Sequence, residues 1–102
     1  MSKAYVLFQN NLHDGAKLAQ YGPGAFASMA AHGGSVLVGA EDYDCREGLL
    51  PTRRTAILEF PSREAAVSWY ESAEYQAVAP FRREATSEGS CVILAGFEMP
   101  SG

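Results

Sequence analysis

The sequence predicts an α+β fold that runs strand, helix, strand, strand, helix, strand. Three observations predict it. Four apolar segments rich in branched and aromatic residues are separated by two longer stretches with helical spacing. Each helical stretch opens on a Ser or Asp able to cap it and is bounded by Gly or Pro. No repeat, low-complexity tract or linker interrupts that order. This is the split βαβ arrangement called ferredoxin-like, in which helices cover one face of a four-stranded antiparallel sheet. With 102 residues, the chain is read as a single domain over residues 1–102, long enough to build a core without metal or disulfide staples.

The elements follow in order. "KAYVLFQN", residues 3 to 10, ends in polar turn formers and reads as the first strand. Asp14 is a plausible N-cap for a helix carrying Leu18, Tyr21, Ala25, Phe26 and Met29, and Gly33-Gly34 offers its stop. Within it "YGPG" predicts a break into two shorter pieces, because Pro23 lacks an N–H and restricts Gly22. "SVLVGAEDYDCREG" reads as a long second strand that pairs as a hairpin with "RRTAILEF". Pro61 ends that third strand, and Ser62 caps a helix with Ala66, Trp69, Tyr70 and Ala73 on one face. Ser72 caps a second short helix, and Pro80 is expected to open one more helical piece through Arg83. "SCVILAGFE" closes the order as a fourth strand.

Composition excludes several classes. A net charge of −4, with no basic run longer than the pairs Arg53-Arg54 and Arg82-Arg83, argues against nucleic acid as a partner. The apolar run "AYVLF" is too short for a signal-peptide core or a membrane span, so the expected address is cytoplasmic and no membrane contact is expected. Cys45 and Cys91 form no CxxC pair and His13 and His32 stand apart, so neither a disulfide scaffold nor a metal site is expected, and no cofactor. The strands are apolar on both sides: Val36, Val38 and Ala40 alternate with Leu37 and Gly39, and "CVILAGF" has no polar face. One helical layer covers only one face. The expected partner for the other is a second copy of the chain, a homodimer formed sheet to sheet.

"HGGSVLVG", then "EG" followed by "PTRRTAILEFPSREAAVSWYESAEYQ", with an Arg seven residues past that Tyr, resembles the domain of unknown function 1330 family of the dimeric α+β barrel superfamily. The resemblance spans residues 3 to 97 and is most specific from "EFPS" to "EYQ". It implies a ferredoxin-like protomer that pairs sheet to sheet into a barrel. It implies no activity, since the wider superfamily spans cofactor-free monooxygenases, muconolactone isomerase-like enzymes, haem proteins and stress-response proteins. The chain departs from the family pattern at Tyr21-Gly22-Pro23-Gly24, where a smoother helix is usual.

Six residues are candidates for chemistry. His32, at the end of the first helix, suits acid or base catalysis near neutral pH, or a helix C-cap. Glu47 in "CREGLLP" is a base if buried and a turn carboxylate if not. Arg54 alternates in register with Ala56 and Leu58, which aims its guanidinium at the core side, where it needs an anion. Tyr75 and Arg82 are seven apart, so an unbroken helix would stack them on one face near Tyr70, but Pro80 falls between them and is able to turn that face aside. Two readings follow. In one, these residues hold a small anionic or enolisable molecule in a pocket between helices and sheet, with a cofactor-independent enzyme as one form of that reading. In the other, all of them cap, pair and pack in a non-catalytic structural or stress-response dimer with no dedicated ligand.

Overall fold

The computed structural model describes residues 2–100. The order is β1 (Ala4–Leu12), α1 (Gly15–Ala31), β2 (Ser35–Ala40), β3 (Arg54–Phe60), α2 (Arg63–Glu71), α3 (Ala73–Ala85) and β4 (Thr86–Ala95). The strands form one antiparallel sheet in the order β2-β3-β1-β4, which is the ferredoxin-like topology. The three helices lie on one face. The chain is only 16 Å deep along its shortest axis, as expected for one helical layer on one sheet.

The caps form where the sequence places them. The Asp14 carboxylate accepts from the Lys17 N–H at 3.0 Å, Ser62 Oγ from Ala65 at 3.1 Å and Ser72 Oγ from Tyr75 at 3.2 Å. At the far end of α1, Gly33 takes φ +78° while the Gly34 and Gly33 N–H groups donate to the Met29 and Ala30 carbonyls, a Schellman stop.

Four expectations are corrected. Pro23 does not divide α1, and Pro80 does not open a new piece; each sits inside a continuous helix. Both rings are on the exposed side, where water can reach the carbonyls of Ala19 and Gln76 that lose their partner. Gly22 further eases the clash that a Cβ before proline would make. Gly24 has a packing role: a Cβ there would fall 2.6 Å from Val78 Cγ1, so its absence lets α1 and α3 cross closely. The second strand stops at Ala40 and does not run to Gly48, because its partner β3 begins at Arg54 and Ala40↔Thr55 is the last pair. The fourth strand starts at Thr86 rather than Ser90. A register shift opposite Asn10, with Glu88 at φ +53°, absorbs the turn-like "SEG" and keeps the ladder going to Leu12.

The core lies between sheet and helices: Ala4, Val6 and Phe8 of β1, Leu58 and Phe60 of β3, Ala25 and Met29 of α1, Trp69 of α2, and Tyr75 and Ala79 of α3. Trp69 stacks at 4.1 Å from the Tyr75 ring and donates its indole N–H to Ser28 Oγ at 3.2 Å. On the opposite face, Leu7 lies between Ile57 and Val92 and Tyr5 between Glu59 and Leu94, all without a covering layer. Among the described residues no helix is long and apolar enough to cross a membrane.

Candidate functional site

Alternation along β1 and β3 brings polar groups into the covered face. Asn10 follows Ala4, Val6 and Phe8 on that side and is 1% exposed, and its partner in the ladder is Arg54. The Arg54 guanidinium therefore enters the space between sheet and α1, where its Nη1 donates to Asn10 Oδ1 at 3.4 Å. From α3, Arg82 approaches the same space. It is buried, its Cζ lies 4.9 Å from the centroid of the Phe8 ring, and its Nε donates to the Tyr75 hydroxyl at 3.2 Å. Tyr75 is fully buried and its hydroxyl lies 2.8 Å from that of Tyr21 on α1.

Arg82, Tyr75 and Tyr21 thus form one chain of hydrogen bonds. The Tyr75 oxygen accepts from Arg82, and its hydroxyl also shares a hydrogen bond with that of Tyr21, in which either oxygen can donate. Burial pushes the Tyr21 phenol well above its ordinary range, with Tyr75 adding to the effect. Burial also raises Tyr75, against the opposing pull of Arg82 and the Tyr21 hydrogen bond. For Arg82 burial opposes the charge, but Tyr75, Tyr21 and Cys91 more than offset it, so the guanidinium stays cationic.

The hollow is a cavity of about 180 Å³. Phe8, Phe26, Met29, Leu58 and Trp69 make most of its wall, and Tyr21, Arg54 and Arg82 supply its polar groups. The two guanidiniums are donors only, and the Tyr21 hydroxyl can donate or accept. Among the described residues neither arginine has a carboxylate within ion-pair distance; the ion pairs are Lys3–Glu59, Lys17–Glu84 and Arg46–Asp44.

The candidates from the sequence thus divide. Arg54 and Arg82 meet at one cavity, and Tyr75 stands behind it, holding Arg82 and Tyr21 in place. Tyr70 lies on the far side of Arg82, in a surface cleft of about 390 Å³ with Arg83 and Cys91, and its hydroxyl accepts from Arg83 at 3.4 Å. His32 is outside the cavity wall; its Nδ1 donates to the Ser28 carbonyl at 2.8 Å, closing the end of α1. Glu47 is exposed in the connection between β2 and β3, beside Cys45 and Leu49. The sequence reading missed Tyr21 and Asn10 as site residues. Alternation from Phe8 put Asn10 on the core side, and that signal was available; the contact of Tyr21 with Tyr75 depends on how closely α1 and α3 cross. No group of three or more potential metal ligands occurs among the described residues.

Sheet order, single helical layer and a donor-lined cavity between them define a ferredoxin-like α+β protein. The chain belongs to the family described as domain of unknown function DUF1330, which it matches over residues 3–97. Among solved structures it is similar to a protein of unknown function from Rhodopseudomonas palustris, with a TM-score of 0.77 and 17% identity over 96% of this chain and 85% of that one. It is also similar to a putative antibiotic biosynthesis monooxygenase from Nitrosomonas europaea, with a TM-score of 0.57 and 17% identity over 99% and 94% of the two chains. A dimeric ferredoxin-like protein of unknown function from Thermobifida fusca superposes with a TM-score of 0.53 and 7% identity over 92% and 91%. No curated protein matches the chain. At these identities the likenesses establish the fold alone.

Proposed function

We propose that this protein is a homodimer that binds a small anionic, carbonyl-bearing molecule in the cavity between α1 and the sheet. The observation that carries the reading is that two guanidiniums without carboxylate partners and the Tyr21 hydroxyl line an otherwise apolar hollow. A pair of guanidiniums is complementary to a ligand made of acceptors, and a charge-assisted bond in an apolar wall is strong. An apolar cavity of about 150 Å³ holds a benzene-sized molecule, so the inner space suits a compact acid. The same donors would also stabilise an enolate oxygen, which is how a cofactor-independent reaction would use them. Binding is nevertheless the better supported role. The cavity wall contains no carboxylate or imidazole to take a proton, and Tyr21 is held neutral by burial. His32 therefore has no part in the proposal, nor does Glu47.

The dimer rests on the uncovered sheet face, where Val92 and Leu94 are 42% and 48% exposed beside Leu7 and Ile57. A cytoplasmic address belongs to the same proposal and agrees with free Cys45 on the surface and free Cys91.

The test is titration of the protein with benzoate by calorimetry, beside Arg54→Ala. Arg54 is only half-buried, so its removal should leave the fold intact and weaken binding by about 1.5–3 kcal/mol, more than tenfold in Kd. A variant that binds benzoate as the parent does, while melting at lower temperature, would make the arginine structural and leave the ligand-free dimer as the function.

A further inference from the structure

We propose that the cavity is the inner half of a two-chambered site for an amphiphilic monocarboxylate, whose carboxylate is held between Arg54 and Arg82 while its hydrocarbon tail runs out past Phe26 along α1. This rests on the anion-binding reading above and names its ligand class. A second hollow, of about 330 Å³, lies against the N-terminal half of α1 and is lined by Leu12, Leu18, Ala19 and Gly22. It shares Tyr21, Phe26 and Arg54 with the inner cavity. The two spaces adjoin, and those three residues stand between them as the waist of the proposed site.

The chemistry of the two chambers differs. Arg54 is the one charged side chain bordering the outer chamber, and it stands at the waist. The inner chamber adds a second guanidinium, Arg82, and has room for little more than a ring-sized group. A ligand that satisfies both arginines and is any larger must leave through the waist, and beyond it the wall is hydrocarbon. A sugar, peptide or second anion in that position would set polar groups against Leu12 and Leu18 without partners. An acyl or aryl tail meets no such penalty. Phe26 fits the waist because it is 58% exposed, unlike the aromatics of the core, so its ring is free to turn as a tail passes.

The experiment is an NMR titration of the intact protein with acetate, butyrate, hexanoate and octanoate. Each buried CH₂ is worth ~0.8 kcal/mol, so affinity should rise roughly fourfold per methylene along the series. Ala19 is exposed on the wall of the outer chamber, where Ala19→Trp fills the space and Ala19→Glu opposes the tail with charge, in either case without touching the core. Both variants should flatten the ratio of octanoate to acetate affinity. If all four acids bind equally, or if the ratio survives both Ala19 variants, the two-chambered site is wrong while the anion pocket stands. If no acid binds at all, the anion pocket falls and this inference falls with it.

Discussion

On β1, Ala4, Val6, Phe8 and Asn10 point into the helix-covered side of the sheet and none is more than 4% exposed, whereas Tyr5, Leu7 and Gln9 point to the other side and are only partly shielded. The two faces share one backbone, yet opposite residues are out of place on each. On the covered face apolar side chains are ordinary core, and the anomaly is polar: Asn10, Arg54 and Arg82. On the open face the polar pairs are ordinary, such as Gln9 donating to Thr55 at 2.7 Å and Lys3 on Glu59 at 3.2 Å. The anomaly there is apolar: Leu7, Ile57, Val92 and Leu94. Buried polar groups and exposed apolar patches are the informative deviations from the usual partition. The first points to a ligand and the second to a partner chain.

A charge on the open face tests that contrast most severely. Leu7→Asp would bury an unpaired carboxylate in the proposed dimer, a cost exceeding the ~2–7 kcal/mol of an unsatisfied neutral group. Sedimentation should show the dimer lost, with unfolded or aggregated chain in its place. A folded dimer carrying this substitution would mean that the open face is not the interface. On the covered face, Phe60→Ala should lower the unfolding free energy by about 3–5 kcal/mol in denaturant titration, since the ring is fully buried against Trp69. A loss below about 1 kcal/mol would contradict the packing described.

The smallest effect concerns pH. Tyr21 and Tyr75 have phenols raised above the ordinary value of 10.0, mainly by burial, so the folded chain keeps protons that the unfolded chain releases. Their contribution to stability is complete below pH 10 and is lost as pH climbs above it. A spectrophotometric titration of the five tyrosines should show two that stay protonated until the fold opens. Ionisation of all five together near the ordinary value in folded protein would contradict the buried pair.

Much of this arrangement is legible in the residues themselves. Period gives the order of strands and helices and capping gives the helix starts, because Asp14, Ser62, Ser72 and Gly33 act within one turn of their own position. What local reading cannot weigh is the neighbour. Pro23 and Pro80 read as breaks, yet packing and solvent tolerate them in place. "AEDYDC" reads as strand, but a strand ends where its partner does. The site divides in the same way. Arg54 is legible through alternation and Arg82 through helical spacing from Tyr75, whereas Tyr21 becomes a site residue only because Gly24 lets α1 approach Val78. His32 and Glu47 have the chemistry for catalysis, but one is held by a helix end and the other faces water.

If Arg54 and Arg82 hold one anion together, the guanidinium resonances of the arginines report on it directly. On titration with benzoate, the signals of Arg54 and Arg82 should move with a single shared Kd while those of exposed Arg46 and Arg63 stay still. Shifts confined to the exposed arginines, or separate affinities for Arg54 and Arg82, would contradict it.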